Sequence, residues 1–263
     1  MALEVRVGVA TDVGRVREHN EDAAFARGSI FVVADGMGGH AAGEVASAIA
    51  ASTLGELAER ADLTVADVVA QVDVANRRIF TTAVRNPQQW GMATTLTGVA
   101  LVLDPDADPD ADPEADPEAD PEADPGSSWA VVNLGDSRVY RYAAGELAQV
   151  SVDHSEVQEM VDAGYLTDDE ARVHPLRHTV TRSLGRDRLP VVDTWVLPVV
   201  AGERFVVCSD GLTNEVRDAE IAAVLAVGAD VQATAQDLVD RAVAHGGRDN
   251  VTVIVVEAAD GPA

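Results

Sequence analysis

The chain has 263 residues, and its 19 Lys and Arg stand against 45 Asp and Glu, a formal net charge of −26. This charge excludes a nucleic-acid binder held by counterion release, and a single cysteine excludes disulfides within the chain and favours a reducing compartment. The N-terminus lacks the basic start and apolar run of a secretory signal, and no stretch resembles a membrane-spanning helix. We therefore expect a soluble, cytoplasmic protein.

The first hundred residues alternate strand and helix patterns. Residues 5–10 predict an opening strand, and residues 23–27 and 30–34 predict a hairpin around Gly28-Ser29. Residues 43–60 are alanine-rich and predict a helix. Thr64 predicts the start of a second helix, because Asp67 stands three residues later, as in a capping box.

Residues 104–125 form an acidic repeat, DPDADPDADPEADPEADPEADP. Proline at every fourth position prevents a helix, and repelling carboxylates without large apolar groups prevent a core, so we expect an extended, disordered loop. Residues 95–103 and 129–134 on either side are β-rich, which predicts that the repeat connects two strands of one domain. The repeat is either a tolerated surface insertion or a low-affinity cation trap or partner tail.

The second half again mixes strands and helices. Residues 131–134, 137–142 and 146–150 predict a strand meander, and Thr167 with Glu170 predicts a capped short helix. Further strands are predicted at 193–197, 205–209 and 251–257, with helices at 218–226 and 231–245. Because strands come in runs with helices paired between them, the pattern favours antiparallel sheets covered by helices, an α+β fold.

Four aspartates stand where apolar strand patterns end or begin: Asp35 before Gly36, Asp136 after Gly135, Asp210 before Gly211, and Asp249 before the last strand. Antiparallel sheets can present such residues at one rim. Four adjacent carboxylates repel one another, and hard dications such as Mg²⁺ or Mn²⁺ relieve that repulsion. The alternative for each Asp-Gly pair is a simple turn after a strand.

Other site chemistries fit the sequence less well. No Cys-His zinc spacing or HExxH arrangement occurs, and no arginine follows Cys208 where a thiolate phosphatase needs its phosphate cradle. The glycines after Asp35 lack the GxxxxGK[ST] context of a nucleotide-binding loop. Zinc, thiolate and nucleotide sites are therefore disfavoured.

Six segments together resemble the metal-dependent type 2C (PPM) serine/threonine protein phosphatases in their bacterial form. In chain order they are TDVGRVREHNED (11–22), VADGMGGH (33–40), GMATTL (91–96), LGDSR (134–138), CSDGL (208–212) and GRDNVT (247–252). Any one of them is a weak signal, whereas six in the order of the family are specific. The resemblance covers nearly the whole chain apart from the acidic repeat.

The resemblance implies one phosphatase domain over residues 1–263, built as a four-layer αββα sandwich of two antiparallel sheets flanked by helices. It implies a binuclear Mg²⁺ or Mn²⁺ centre. Asp35, Asp210 and Asp249 would bind one ion, and Asp35 with the Gly36 carbonyl would bind the other. The remaining metal-site residues that the resemblance implies are Glu21 and Asp22, which would hold metal-bound waters, and Asp136, which would bind a third, weaker ion.

The function implied is hydrolysis of phosphoserine and phosphothreonine in proteins by a hydroxide that bridges the two ions, opposing bacterial Ser/Thr kinases. Arg17 would bind the phosphate, although by itself it could equally form a surface ion pair among Glu18, Glu21 and Asp22. Met37 stands where many eukaryotic relatives have a histidine suggested as the general acid. His40 is nearby and is either that acid or a packed or capping residue.

Residues 153–185 match the mobile flap of bacterial members, or form a surface excursion without a role in selectivity. The expected partners are phosphorylated Ser/Thr proteins, including kinases and their substrates, with no nucleic acid or membrane, and we expect a free-standing, monomeric domain. The alternatives are a low-activity module that binds phosphoproteins for regulation, and a cation-buffering scaffold based on the acidic repeat.

Overall fold

The structure is a computed structural model that describes residues 3–38, 41–103 and 123–260. In chain order its strands are β1 (Leu3–Asp12), β2 (Asp22–Arg27), β3 (Ile30–Met37), β4 (Ala93–Thr94), β5 (Leu96–Leu103), β6 (Ala123–Leu134), β7 (Arg138–Ala143), β8 (Glu146–Gln149), β9 (Asp193–Val200), β10 (Arg204–Cys208) and β11 (Val251–Asp260). The helices are α1 (Ala41–Gly55), α2 (Val65–Arg85), α3 (Glu156–Asp162), α4 (Asp168–Val173), α5 (Asp210–Thr213), α6 (Asp218–Ala226) and α7 (Val231–His245).

The strands form two antiparallel sheets. The order is β1-β11-β10-β7-β8 in the first sheet and β2-β3-β5-β6-β9 in the second, where the short β4 also pairs with β3. Helices α1 and α2 pack on the outer face of the second sheet, and α5, α6 and α7 pack on the outer face of the first. The predicted α+β class and its four layers, helix–sheet–sheet–helix, are confirmed.

The core between the two sheets is built around three aromatic side chains. The ring of Trp129 lies 6.3 Å from that of Phe31 and 5.4 Å from that of Phe205, measured between centroids. Strand β3 contributes Phe31 and Val33 to this central layer and Ile30, Val32 and Ala34 to the layer beneath the helices. Since both faces of the strand are buried, its sequence is a continuous apolar run.

Helix boundaries follow local capping chemistry. The Thr64 hydroxyl accepts the Asp67 amide at 3.2 Å, and the Asp67 carboxylate accepts the Thr64 amide at 3.0 Å, so the predicted capping box is confirmed. Helix α1, predicted over 43–60, instead ends at Gly55. A side chain at Gly55 would collide with the Phe25 ring, and the Ala58 carbonyl accepts the Ser29 amide of the β2–β3 hairpin at 3.1 Å.

The predicted meander over 131–150 is wrong in its first strand. Strand β6 pairs with β5 and β9 in the second sheet, whereas β7 and β8 form a hairpin in the first. The link Gly135-Asp136-Ser137 therefore crosses from one sheet to the other. The prediction failed because neighbouring strands usually pair, and the sequence does not mark a change of sheet.

Strands β5 and β6 flank the acidic repeat and pair with each other, from Leu96 opposite Leu134 to Leu103 opposite Ser127. The prediction that the repeat connects two strands is thus confirmed. Of the disordered loop predicted over 104–125, residues 104–122 lie outside the described residues, whereas residues 123–125 belong to β6, where Ala123 pairs with Val200 of β9. Among the described helices, none combines the length and apolar character needed to cross a membrane.

Candidate functional site

Four strand-end aspartates meet in one cavity of about 830 Å³ at one end of the sandwich. Asp35 is in β3, Asp136 is in the link between the sheets, Asp210 begins α5 and is separated from β10 by a single residue, and Asp249 is likewise separated from β11 by a single residue. Arg17, Glu21 and Gly36 also line this cavity. The structure thus brings together every site residue that the sequence indicated except Asp22, which lies just behind the wall.

Asp35 is held by two threonines that the sequence analysis did not single out as site residues. Its amide donates to the Thr95 hydroxyl at 3.0 Å, and its carbonyl accepts the Thr95 amide at 2.9 Å and the Thr94 hydroxyl at 2.8 Å. The Thr95 hydroxyl also bonds that of Ser137 at 2.9 Å. Because Ser137 follows Asp136, Thr95 ties the backbone at Asp35 to the link that carries Asp136.

The backbone packs too closely at Gly36 for any side chain. A Cβ atom there would lie 2.3 Å from the Gly43 carbonyl oxygen and 2.6 Å from that of Glu21. The Gly36 amide donates to the Glu21 carbonyl at 3.1 Å. Glycine is therefore required where β3 meets the start of α1 at the cavity wall.

Asp22 and Glu21 lie side by side but differ in their surroundings. The Asp22 carboxylate accepts the Ser209 hydroxyl at 2.8 Å, and burial raises its pKa to about 7. The Glu21 side chain lines the cavity, and its amide donates to the Asn250 side chain at 2.8 Å. Asn250 also donates to the carbonyls of Val13 and His19, so it fixes the loop that carries Arg17 and Glu21.

Crowding of like charges dominates the electrostatics of the cavity. Burial raises the pKa of Asp35 well above its usual range, and the negative charges of four neighbouring aspartates raise it further: Asp22, Asp210, Asp136 and Asp249. Burial and the charge of Asp210 likewise raise the pKa of Asp136 and of Asp249. Such shifts arise where several carboxylates share a buried space, and a bound cation would offset them.

Arg17 forms an ion pair inside the cavity. One of its guanidinium nitrogens lies 2.7 Å from Asp249 Oδ2, with half of the Arg17 side chain exposed. The alternative partners expected from the sequence, Glu18, Glu21 and Asp22, are not its ion-pair partners among the described residues. Because the guanidinium is anchored at one end and open to solvent, it faces the space that a ligand would enter.

The donor set fits a hard dication. Carboxylate and carbonyl oxygens are what Mg²⁺ and Mn²⁺ prefer, and the repulsion around Asp35 is what a dication offsets. Within the described ranges, no three His, Cys, Asp or Glu side chains already have the arrangement of a metal site. Neighbours hold two of these carboxylates: Arg17 bonds Asp249, and Asn214 donates to Asp210 at 2.9 Å. Those bonds would have to exchange for an ion to bind.

One wall of the cavity comes from the segment 153–185, which includes α3 and α4. Arg172, Arg177 and His178 line the cavity, and His178 Nδ1 lies 3.7 Å from Asp210 Oδ2. These three residues are not part of the motifs from which the site was predicted. A signal for them exists in the sequence, because residues 172–178 (RVHPLRH) form a basic cluster in a strongly acidic chain. Met37 lines the cavity, and His40 lies outside the described residues.

A second cavity of about 300 Å³ adjoins the first beneath α3 and α4. Asp136, Asp210, Arg172 and Arg177 line both cavities, so these residues form the boundary between them. The candidate site thus extends from the aspartate cluster towards the base of the segment 153–185.

Comparison with known proteins gives one consistent result, although no protein-family model matches the chain. The chain is 35% identical to the serine/threonine protein phosphatase PstP of Mycobacterium tuberculosis over 99% of its own length, and it spans about half, 46%, of that relative. It is 32% identical to the serine/threonine phosphatase stp of Listeria welshimeri, covering 94% of this chain and 93% of the relative. The crystal structure of the PstP catalytic domain in complex with two manganese ions superposes with a TM-score of 0.81 at 33% identity, covering 98% of this chain and all of that one.

Proposed function

Because this chain belongs to the PPM family, the 2C-type serine/threonine protein phosphatases, we propose that it is one phosphatase domain that hydrolyses phosphoserine and phosphothreonine in proteins. The observation that carries this proposal is the cavity in which Asp35, Asp136, Asp210 and Asp249 meet beside Arg17. Carboxylates far apart in the sequence share one space, where burial and mutual repulsion raise the pKa of Asp35, Asp136 and Asp249, as expected of a centre for divalent ions.

In this proposal Asp35, Asp210 and Asp249 hold one ion, while Asp35 and the Gly36 carbonyl hold a second. Glu21 and Asp22 act through ion-bound waters, and Asp136 holds a third, weaker ion. When bound, Mn²⁺ or Mg²⁺ would supply a hydroxide nucleophile, bridging the two ions, at neutral pH and neutralise charge on the phosphoryl group. The two manganese ions in the PstP catalytic domain support this choice of ions for the present chain.

The chain's own residues then bind and orient the substrate. Arg17 has guanidinium N–H groups with which to bond a phosphoryl oxygen once an ion binds Asp249 and releases the Arg17–Asp249 bond. Its fixed positive charge would stabilise the extra negative charge that develops on the non-bridging oxygens. The Thr94 and Thr95 bonds hold the Asp35 backbone in place at the cavity.

We further propose that the segment 153–185 acts as a flap over the site. Its residues Arg172, Arg177 and His178 line the same cavity as Asp35 and Asp249, where a bound phosphoprotein would meet them. The protein partners would be phosphorylated substrates and the kinases that produce them, in the cytoplasm. A single buried cysteine is consistent with that reducing compartment.

The test is hydrolysis of p-nitrophenyl phosphate and of a phosphothreonine peptide by the purified protein. We expect turnover with Mn²⁺, loss of turnover with excess chelator, and loss with Asp210→Ala. Asp237→Ala on the surface of α7 is the matched control and should behave like the unaltered protein. Activity that survives chelation would contradict the proposal, and peptide binding without turnover would favour a regulatory binding module instead.

A further inference from the structure

The link Gly135-Asp136-Ser137, which carries Asp136 from one sheet to the other, is braced by a buried histidine. The His154 side chain is 5% exposed. The Gly135 amide donates to His154 Nδ1 at 3.1 Å, and the Gly135 carbonyl accepts the His154 amide at 2.9 Å. Both polar backbone groups of Gly135 are thus bonded to one residue, nineteen positions further along the chain.

These contacts define the protonation of the ring. A nitrogen that accepts an amide hydrogen carries no proton, so the proton of the neutral imidazole is on Nε2. Nε2 lies 3.0 Å from Asp193 Oδ2 and donates to it, while Arg182 Nη1 holds the other Asp193 oxygen at 3.0 Å. Arg182 Nη1 also lies 3.1 Å from Nε2. Because Nε2 carries the proton in this tautomer, it accepts no hydrogen bond from Arg182. The ring is therefore oriented from both sides.

His154 also belongs to the stem of the segment 153–185. Its carbonyl accepts the Thr181 amide at 2.8 Å, and Ser155 forms a bridge with Val180, so the start and the end of the segment meet here. On the other side, Asp153 binds Arg138 of β7 through two nitrogens, at 2.7 and 2.9 Å. The stem is therefore fastened directly to the strand and the link on either side of Asp136.

The link is tightly packed at this point. Gly135 has a φ of +120°, and a Cβ atom there would lie 2.5 Å from the Thr95 side chain. The Asn133 side chain donates to the Gly135 carbonyl at 3.1 Å, whereas the Gly135 amide depends on the His154 ring. Loss of the ring acceptor would leave a buried amide without a partner, which is costly, or would force the link to move.

From this geometry we infer that His154 is a positioning residue, whose imidazole fixes the link that carries Asp136 and couples it to the stem of the segment 153–185. The structural part of this inference stands on the contacts alone, and its consequence for catalysis rests on the proposed function. A change in the stem, such as movement of the segment when a substrate binds, would reach the link at Gly135 through the contacts of His154 and would reach β7 through the Asp153–Arg138 pair.

Two substitutions separate the contacts of the ring. In His154→Asn the side-chain oxygen should occupy roughly the position of Nδ1 and should still accept a hydrogen bond from the Gly135 amide. In His154→Gln the amide group reaches the place of Nε2, so the contact with Asp193 is kept and the Gly135 contact is lost. Hydrogen exchange of the metal-free protein, followed over residues 133–137, should be about fivefold faster in His154→Gln, as loss of one hydrogen bond implies, and close to the unaltered protein in His154→Asn.

Activity gives the second readout. The Mn²⁺ concentration for half-maximal hydrolysis of p-nitrophenyl phosphate should rise about tenfold in His154→Gln, the usual size for loss of a residue that supports a ligand, and should change little in His154→Asn. Asp193→Asn keeps an acceptor for Nε2 and should leave exchange at Gly135 unchanged. Circular dichroism and the melting temperature check that each variant is folded.

Equal effects of the Asn and Gln variants, or no effect of either, would overturn the inference. Should His154→Gln not fold, His154→Asn provides the test by itself. Faster hydrogen exchange of the Gly135 amide in that variant would contradict the hydrogen bond to the ring, and unchanged exchange would support it. If the unaltered protein shows no Mn²⁺-dependent hydrolysis while exchange follows the pattern above, the proposed function fails and the structural role of His154 stands.

Discussion

At the end of the sandwich away from the cavity, the Glu203 side chain is fully buried and fully bonded. Its oxygens accept the Trp129 indole N–H at 2.9 Å, the Val200 amide at 2.9 Å and the Arg141 guanidinium at 2.5 Å. At the cavity end, the neighbours of Asp35 are other aspartates that raise its pKa. Among the described residues no cation lies within ion-pair distance of Asp35. The same two sheets therefore hold one carboxylate with its partners and another without them.

The comparison distinguishes the Glu203 carboxylate, which stabilises the fold, from the Asp35 carboxylate, which is suited to bind an ion. Glu203 joins β6, β9 and β7 through hydrogen bonds that are complete in the protein itself. Asp35 is held in place by backbone bonds to Thr94 and Thr95, but its carboxylate has no ion-pair partner among the described residues, and neighbouring aspartates raise its pKa. A fold tolerates such repulsion where a bound ion relieves it, so substitutions at the two ends should have opposite effects on stability and activity.

The largest contrast is expected from Asp35→Asn. Loss of this carboxylate should reduce Mn²⁺-dependent hydrolysis by at least about 1,000-fold, because bound ions contribute several kcal/mol to stabilisation of the transition state. In the metal-free protein the same change removes repulsion and should leave the free energy of unfolding equal or higher. Single-turnover kinetics and urea unfolding measure the two effects. A less stable metal-free variant would show that Asp35 is instead a structural residue.

Glu203→Gln should give the opposite pattern. Arg141 would be left without its buried partner, and the free energy of unfolding should fall by about 3 kcal/mol, at the low end for a broken buried pair. Hydrolysis per folded molecule should not change, since Glu203 is at the far end of the sheets. Urea unfolding at 25 °C together with active-site titration makes this measurement. If Glu203→Gln were as stable as the unaltered protein but had impaired turnover, Glu203 would serve activity and not stability, which contradicts this account.

Arg17→Lys should have a smaller effect than removal of Asp35. The lysine keeps the charge but loses the planar fork, so kcat/KM for a phosphothreonine peptide should fall about 10- to 100-fold. Stability should change by less than about 1 kcal/mol, because the ion pair with Asp249 is half exposed. Steady-state kinetics over a range of peptide concentrations test this. Unchanged kinetics would leave Arg17 as a surface ion pair only.

The pH dependence of stability should differ with and without metal. The pKa of Asp22 is 3.8 in the unfolded chain and about 7 in the folded one, since burial raises it. Between these values the native protein keeps a proton that the unfolded chain releases, so the melting temperature of the metal-free protein should fall as the pH rises from about 4 to about 7. Asp22→Asn should make this slope shallower, while the raised pKa values of Asp35, Asp136 and Asp249 keep its sign. Thermal melts in chelator measure it, and a melting temperature that rises across the window would contradict the burial of Asp22.

Much of the fold could be predicted because its signals are local. Helices α6 and α7 have the bounds that the sequence predicts, and the capping boxes at Thr64 and Thr167 occur as the spacing of their partners indicates. The early end of α1 and the change of sheet between β6 and β7 were not predictable in this way. Both depend on distant contacts, of Gly55 with Phe25 and of Gly135 with Thr95.

For the site, the pattern of aspartates at strand ends was enough to name the acidic wall. The same pattern could not identify Thr95, which acts through its bonds to the Asp35 backbone and to Ser137. Nor did it include Arg172, Arg177 and His178, whose basic cluster is visible in the sequence but reaches the cavity only through the path of the segment 153–185. The acidic residues are marked in the sequence by the strand patterns beside them, whereas the positions of these other residues are set by tertiary structure.

The most direct test of the account is calorimetric titration of the metal-free protein with Mn²⁺, compared between the unaltered chain and Asp35→Asn. We predict that the unaltered chain binds at least two ions per molecule and that Asp35→Asn loses that stoichiometry while its far-UV circular dichroism is unchanged. Equal binding by the two proteins, or no binding by either, would contradict the claim that these distant aspartates form one metal centre.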